Sequence, residues 1–234
     1  MQKVAFITGS SKGVGKALCK LLLSKNYIVF GYSRTNTIKH SNFNHLKIDL
    51  SNLKKVQKIT FPKLKNDVIL INNAAKIGNI MPLHLKKDLN IIDEYNLNII
   101  SPSLLCAKFI NNYIDNNKLI INVSSGAANN SIASWSTYCA TKSALDSLTA
   151  VIKEEKHNKL SVFSIRPGII DTTMQKRIRE ANPNLFPLLD KFIGYYNNNE
   201  LENTELVARK FLYFIKNYNK FHQNIVSFRN INIK

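Results

Sequence analysis

The sequence predicts an α/β fold built on a parallel sheet, and three observations lead to this conclusion. Short apolar segments of strand length alternate with longer segments whose apolar residues recur at helical spacing. The first apolar segment, Val4 to Ile7, runs directly into a glycine-containing turn and then into a helical pattern. The 234 residues and the hydrophobic fraction of 44% suit one α/β domain with one substantial core. We therefore expect a single domain over residues 1–234.

The formal net charge of +18 is the unusual bulk property of the chain. Such a charge could attract nucleic acid or an anionic membrane. The lysines are spread along the chain without a dense basic run, so we expect neither nucleic acid nor a membrane as a partner. No apolar run approaches the roughly 20 residues that a spanning helix needs. A basic surface would equally attract an anionic cofactor or substrate.

The cysteines and the N-terminal residues predict a reduced, cytoplasmic location. Cys19, Cys106 and Cys139 are too few and too scattered for a disulfide framework or a metal-ligand cluster. We therefore expect no metal site. The N-terminal residues begin a strand almost at once and lack the basic and apolar segments of an export signal.

The turn after the first strand has the composition of a nucleotide-binding turn. Residues Thr8 to Gly15 read T-G-S-S-K-G-V-G, and a helix with apolar residues at Leu18 and Leu22 follows. Glycine is needed where the backbone approaches a pyrophosphate or has a positive φ. The helix N-terminus offers free N–H groups and a positive dipole end to the phosphates. We expect a dinucleotide to bind at Gly9, Ser11, Lys12, Gly13, Val14 and Gly15.

The second strand, Tyr27 to Tyr32, ends at Ser33 and Arg34 without an acidic residue. In NAD-binding proteins of this type an acid at that point holds the ribose hydroxyls. An arginine there can pair with a 2′-phosphate instead, and Lys12 can reach the same phosphate. These residues favour NADP(H) over NAD(H). The alternative interpretation is that Arg34 is a solvated loop residue.

The third strand, about His45 to Ile48, follows a polar segment in which we expect little helix. It ends at Asp49 and Leu50, close to the expected position of the adenine, so Asp49 is a candidate partner for the adenine amino group. A weaker helix, roughly residues 52–58, then leads to the fourth strand.

Small and polar residues follow the fourth strand, Val68 to Ile71, at Asn72-Asn73-Ala74-Ala75. Small residues directly after a buried strand let the backbone approach the cofactor, so we expect Ala74 and Ala75 to contact it. Asn73 can tie two strands together by hydrogen bonds, and we prefer this structural role to a chemical one.

A long helical segment of about residues 92–113 contains Asn98, which competes for backbone hydrogen bonds and therefore suggests a functional position. The apolar run from Leu119 to Val123 then predicts a buried parallel strand with Ser125 just beyond its end. Ligands of open α/β sheets bind at the carboxyl ends of strands. Ser125 is therefore expected to face the ligand.

Tyr138 and Lys142 are one turn apart on the next predicted helix, about residues 138–156, and so share a face with each other. A phenol titrates near pH ~10, and an ammonium group one turn away should lower that pKa. Such a pair is often exposed to solvent and has no chemical function. The serine and the glycine turn favour a catalytic role.

The remaining chain predicts a sixth strand, Leu160 to Ile165, a last helix of about residues 204–217, and a final strand of about residues 224–228. After the sixth strand comes R-P-G-I-I-D-T, residues 166–172. Residues 173–194 are expected to form a helical insertion that acts as a lid over the substrate rather than a new domain.

Together these motifs resemble the short-chain dehydrogenase/reductase family along nearly the whole chain. The matching segments are T-G-S-S-K-G-V-G, N-N-A-A, Y-C-A-T-K and R-P-G-I-I-D-T. The segments V-S-S-G-A-A, W-S-T-Y-C-A-T-K and D-T-T-M-Q are similar to the branch of sepiapterin and benzil reductases. The resemblance implies a Rossmann-type, doubly wound sheet of seven parallel strands that binds NADP(H). It also implies a catalytic tetrad of Asn98, Ser125, Tyr138 and Lys142.

The resemblance further implies an NADPH-dependent carbonyl reductase that acts on a vicinal diketone or a related carbonyl compound. Nicotinamide contacts are expected at Tyr138, Lys142, Pro167, Gly168, Ile170 and Thr172. A homodimer is expected through two long helices, around residues 99–113 and 140–152. Sepiapterin reductases are expected to anchor the pterin with an acid near the C-terminus, whereas no Asp or Glu follows Glu205 here. A pterin reductase and a non-catalytic NADP(H) sensor remain the alternatives.

Overall fold

The computed structural model describes residues 2–233 and contains one sheet of seven strands. The strands are β1 (Val4–Thr8), β2 (Ile28–Ser33), β3 (Phe43–Lys47), β4 (Val68–Asn72), β5 (Lys118–Val123), β6 (Leu160–Arg166) and β7 (Ile225–Ser227). Their order is β3-β2-β1-β4-β5-β6-β7, and every neighbouring pair is parallel. The strand order reverses between β1 and β4, which is where ligands bind in doubly wound sheets. The predicted α/β fold with seven parallel strands is confirmed.

Helices cover both faces of the sheet because the central strands are apolar on both sides. Their bounds are α1 (Gly13–Ser24), α2 (Leu53–Val56), α3 (Asp88–Tyr95), α4 (Ser101–Asn112), α5 (Ser136–Glu154), α6 (Thr173–Arg179), α7 (Leu189–Asn197) and α8 (Thr204–Asn217). One core cluster packs α1 and α8 against the sheet. The second cluster packs α2, α4 and α5 against the opposite face.

The predicted helix of about residues 92–113 is divided into three parts. Between α3 and α4 the backbone forms a turn of π-helix, Asn96–Ile100, with the buried Asn98 at its centre. π-Helical turns occur frequently at functional sites. The helical insertion also extends further than predicted, because α7 continues to Asn197. Within residues 2–233 no helix is both long and apolar enough to cross a lipid bilayer.

Candidate active site

A cleft of about 1140 Å³ lies at the carboxyl ends of the strands, on the side where sheet geometry predicts a ligand. Nearly all of the predicted site residues line it. They are Gly9, Ser11, Lys12, Gly13, Val14, Ser33, Arg34, Asp49, Leu50, Asn73, Ala74, Ala75, Ser125, Tyr138, Lys142, Pro167, Gly168, Ile170 and Thr172. Two predicted residues, Gly15 and Asn98, are not among the residues that line it.

Between β1 and α1 the backbone forms an open turn, a cradle that side chains in place of its glycines would fill. Gly9 and Gly13 have φ values of +72° and +55°, a region that favours glycine. A Cβ atom at Gly9 would lie 2.9 Å from Asn73 Nδ2, and one at Gly15 would collide with the Gly9 carbonyl oxygen. Gly15 therefore serves close packing of α1 on the turn. The open turn leads into the N-terminus of α1, which suits a diphosphate.

Asn73 has the structural role that the sequence favours. Its Nδ2 donates to the Thr8 carbonyl oxygen at 2.9 Å, and its backbone N–H donates to Thr8 Oγ1 at 2.9 Å. Ala74 N donates to the same hydroxyl at 2.9 Å. The end of β4 is thereby fixed against the glycine turn of β1.

The end of β2 presents one buried hydroxyl and one exposed cation. Ser33 Oγ is held by Ser10 Oγ at 3.1 Å, by His45 Nε2 at 2.9 Å and by the Thr35 carbonyl oxygen at 2.9 Å. Arg34 and Lys12 are exposed and line the cleft. Two cations at this end of the cleft give it the charge that a phosphate requires.

The carboxylate of Asp49 accepts hydrogen bonds from its own loop. Its Oδ1 accepts from Ser51 N at 3.0 Å and from Ser51 Oγ at 2.9 Å. Burial would raise the pKa of Asp49, but these hydrogen bonds, together with Arg34 and Lys76, lower it below its usual value. The carboxylate is therefore ionised at neutral pH, and it lines the predicted adenine end of the cleft.

Ser125, Tyr138 and Lys142 converge on the cleft from β5 and α5. Ser125 Oγ accepts a hydrogen bond from Ala127 N at 3.1 Å. Lys142 Nζ lies 5.7 Å from the centre of the Tyr138 ring and donates to the Val123 carbonyl oxygen at 2.6 Å. The three side chains predicted from the sequence thus line one site.

The pKa of Tyr138 shifts in the direction opposite to the sequence expectation. Burial raises it to about 12 and outweighs the side-chain hydrogen bond of Ser125, which lowers it. Burial also lowers the pKa of Lys142 to about 8, against the attraction of Asp146. The expectation that Lys142 lowers the pKa of Tyr138 is wrong, because burial has the largest effect on the pKa of both groups. The phenol is therefore protonated at neutral pH.

Asn98 positions the cleft wall and does not line it. Its Oδ1 accepts from Lys76 N at 3.0 Å, and its Nδ2 donates to the Lys76 carbonyl oxygen at 2.9 Å. Nδ2 also lies 3.2 Å from Thr141 Oγ1, next to Lys142 in the chain. The side-chain amide of Asn98 therefore joins the loop after β4 to helix α5.

The loop after β6 crosses to the glycine turn. Gly168 has a φ of +96°, which lets the chain bend after Pro167. Thr172 Oγ1 caps α6 by accepting from Gln175 N at 3.3 Å. A Cβ atom at Gly13 would lie 3.7 Å from Thr172 Cγ2. The insertion α6–α7 therefore begins directly over the predicted diphosphate position.

An aromatic cluster forms the apolar end of the cleft. The Trp135 ring stacks on Phe186, with centroids 5.7 Å apart, and meets Tyr138 edge to face at 5.7 Å. Phe192 of α7 lies 5.1 Å from Trp135. Within residues 2–233 the buried indole N–H has no hydrogen-bond partner. Trp135 therefore both lines the cleft and packs against the insertion.

A buried ion pair supports the first turn of α5. Lys86 Nζ lies 3.1 Å from Glu94 Oε2 and 2.5 Å from Thr137 Oγ1, and the Thr137 hydroxyl donates to the same carboxylate. Both charged side chains are almost fully buried. Because Thr137 directly precedes Tyr138, this group fixes the phenol relative to α3.

Several residues of the cleft rim were not identified from the sequence. They are Lys76, Asp93, Arg177, Lys191 and Arg229. Lys76 directly follows the N-N-A-A segment, which is a signal that could have identified it. The others come from α3, the insertion and the C-terminal segment, whose approach to the cleft depends on tertiary packing.

Comparison with known proteins agrees with the fold. A benzil reductase ((S)-benzoin forming) of Bacillus cereus is 30% identical over 227 residues, which cover 88% of this chain and 91% of that protein. A crystal structure of a short-chain dehydrogenase/reductase from Saccharomyces cerevisiae superposes with a TM-score of 0.85 at 23% identity, covering 97% and 96% of the two chains. A 4-hydroxyisoleucine dehydrogenase complexed with NADH superposes with a TM-score of 0.75 at 23% identity, covering 97% of each chain. The family model described as short chain dehydrogenase matches residues 3–183. The chain therefore belongs to the short-chain dehydrogenase family, whose members are oxidoreductases that use nicotinamide cofactors.

Proposed function

We propose that this protein is an NADPH-dependent carbonyl reductase that reduces a ketone, with vicinal diketones as the preferred substrate class. One observation carries the proposal. Ser125, Tyr138 and Lys142 line the cleft between an open, basic nucleotide end and an aromatic end. The similarity to a benzil reductase supports the diketone class.

A nicotinamide bound in the cleft would supply a hydride to the carbonyl carbon of the substrate. Tyr138 gives its proton to the carbonyl oxygen, a role that requires the protonated phenol. Because burial raises the pKa of Tyr138 to about 12, the phenol carries this proton throughout the neutral range. General acid catalysis of this kind contributes typically about 10²–10⁴-fold.

Ser125 donates its hydroxyl proton to the same oxygen, where negative charge develops in the transition state. The hydrogen bond from Ala127 N to Ser125 Oγ orients this hydroxyl. Lys142 is the group that holds the nicotinamide ribose. Its Nζ bond to Val123 fixes the ammonium group at the end of β5, beside the Tyr138 ring.

Asn98 completes the proposed catalytic tetrad as a positioning residue. Its side-chain amide is fully used by Lys76 and Thr141, so that it acts through the loop after β4 and through α5. The π-helical turn at Asn96–Ile100 supports a functional position for Asn98, because such turns occur frequently at functional sites.

The preference for NADPH rests on charge at the end of β2. Arg34 and Lys12 line the cleft, and Ser33 rather than an acid ends the strand. An acid at this point would hold the ribose hydroxyls of NAD(H) and repel a 2′-phosphate. The guanidinium group of Arg34 can instead bind that phosphate through two parallel hydrogen bonds.

The substrate lies at the aromatic end, under a lid formed by α6 and α7. The lid contributes Ile178, Phe186, Leu189 and Phe192 to the same cluster as Trp135. A wall of this composition suits an aryl group. A pterin is disfavoured, because the C-terminal segment brings Arg229 to the cleft, where a pterin reductase is expected to offer a carboxylate.

The proposed assembly is a homodimer through α4 and α5. Ala107 and Ala140 are exposed on these helices, with the apolar Ile100 and Val151 nearby and also exposed. Small residues let two helices approach closely, and exposed apolar side chains favour burial against a second copy. The three cysteines are free, which supports the proposed cytoplasmic location, since disulfides form in oxidising compartments.

The decisive experiment measures the loss of NADPH absorbance with a panel of vicinal diketones, monoketones and sepiapterin. Diketone turnover is expected, with sepiapterin at least about tenfold poorer in kcat/KM, the cost of an unpaired buried donor. Tyr138→Phe serves as the inactive control. If NADPH binds with normal affinity but no carbonyl compound is reduced, the sensor alternative replaces this proposal. If the kcat/KM for sepiapterin equals that for the best diketone, the pterin-reductase alternative replaces this proposal.

A further inference from the structure

Lys76 lies at the rim of the cleft, and its backbone is fixed by Asn98. The two hydrogen bonds between Asn98 and the backbone of Lys76 hold its main chain, while its side chain remains 27% exposed. The ammonium group forms an ion pair with Asp93, whose side chain is 43% exposed. A rim cation that is held by a half-exposed carboxylate can exchange this partner for a more highly charged anion.

Lys76 lies close to two further cations. Burial is the main cause that lowers the pKa of Lys76, and Arg34 and Arg177 lower it further, whereas Glu94 and Asp49 raise it. Arg34 belongs to the end of β2, and Arg177 belongs to α6 of the lid. Lys76, Arg34 and Arg177 therefore bring positive charge to the cleft from three separate segments.

Arg177 differs from the other two basic residues of α6. Lys176 is paired with Glu180 at 3.7 Å, and Arg179 lies 4.0 Å from the centre of the Tyr196 ring and donates to Gln175. Arg177 is exposed, lines the cleft, and makes no side-chain hydrogen bond or ion pair within residues 2–233. Its guanidinium group is free for a ligand.

We propose that Lys76 and Arg177 bind the diphosphate of the nucleotide from opposite sides of the cleft, Lys76 from the loop after β4 and Arg177 from the lid. The position of Thr172 over the Gly13 turn places the start of α6 above the diphosphate cradle. On binding, Lys76 exchanges the Asp93 carboxylate for a phosphate oxygen. This inference rests on the proposed function, because it requires a dinucleotide in the cleft. Through Arg177 it connects the lid directly to the nucleotide.

The test measures the Kd of NADPH and of NADH by titration calorimetry, without a carbonyl substrate. We expect Lys76→Met and Arg177→Ala each to weaken both nucleotides by about tenfold, the loss of one charge-assisted hydrogen bond. Arg34→Ala should weaken NADPH alone, since only NADPH carries the 2′-phosphate. Lys176→Ala is the matched control, because it removes a cation from the adjacent position of α6, and it should leave both Kd values unchanged within about twofold.

The variant Asp93→Asn should change the Kd of both nucleotides in the opposite direction. Removing this carboxylate should tighten the binding of both nucleotides by about three- to fivefold, and this gain should disappear when Lys76→Met is also present. A merely structural role of Asp93 would instead weaken binding. Circular dichroism on every variant confirms folding.

Unchanged Kd values in Lys76→Met and Arg177→Ala would overturn the inference, and so would a loss confined to NADPH. A wild-type protein that binds no nucleotide would overturn it together with the proposed function. A protein that binds nucleotides with the expected pattern but reduces no ketone would refute only the proposed function.

Discussion

Replacing Lys142 by methionine should stabilise the cofactor-free protein at neutral pH, although it removes a proposed catalytic group. Burial lowers the pKa of Lys142 from 10.5 to about 8. At about 1.36 kcal/mol for each pH unit, the buried charge costs about 3 kcal/mol of folding free energy. The variant loses the bond from Nζ to the Val123 carbonyl oxygen, worth about 1.5 kcal/mol. The expected net gain is about 1–2 kcal/mol in the free energy of unfolding.

The pH dependence follows from the direction of this shift. The folded state holds the lysine proton less tightly than the unfolded state, so the stability of the wild type rises with pH between about 8 and 10.5. Methionine does not titrate. The advantage of the variant is therefore complete below pH 8 and shrinks as the pH rises towards 10.5.

Urea unfolding followed by circular dichroism, at about pH 7 and about pH 9.5, measures this difference. Lys153→Met is the matched control, because Lys153 is exposed on the same helix and its loss should change stability by less than about 0.5 kcal/mol. A Lys142→Met protein less stable than the wild type at neutral pH would refute the reasoning. A stability difference that stays constant with pH would refute it too.

Tyr138→Phe should lower the single-turnover rate of hydride transfer by about 10²–10⁴-fold while the Kd of NADPH stays unchanged, and retention of more than about a tenth of the rate would show that Tyr138 is not the acid. Arg34→Asp should shift the ratio of kcat/KM values from NADPH towards NADH, because the new carboxylate repels the 2′-phosphate and accepts from ribose hydroxyls. Equal use of both nucleotides by the wild type would contradict this charge argument. Light scattering at micromolar concentration should give the mass of a dimer, and Ala140→Arg, which places a charge on the exposed face of α5, should give that of a monomer. A monomeric wild type would contradict the interface.

The positions of the site residues were predictable because local pattern and sheet geometry agree. Ser125 follows a run of apolar residues, and parallel strands bring their carboxyl ends to one edge. Tyr138 and Lys142 share a helix face through helical spacing alone. The glycine turn likewise depends on residues that are adjacent in the chain, so its cradle could be inferred before any packing was known.

The electrostatics of the site could not be inferred in the same way. The pKa of Tyr138 depends on how much water its neighbours exclude, and those neighbours come from α5, the loop after β4 and the lid. The contacts of Asn98 could not be inferred for a related reason. The sequence indicates that Asn98 interrupts a helix, but its pairing with the Lys76 backbone is a contact between distant segments. Arg177 was missed because its direction depends on how α6 packs.

Trp135 is the only tryptophan of the chain, and its position makes it an intrinsic fluorescence probe of the cleft. Its indole is covered by Phe186 and Phe192 of the lid and lies beside Tyr138. Its emission therefore reports on one place, the contact between lid and active site. Lid opening would expose the indole to water and shift its emission to longer wavelength. A reduced nicotinamide bound nearby would accept its excitation energy. Stopped-flow emission could thus follow lid motion and nucleotide arrival separately, without any label.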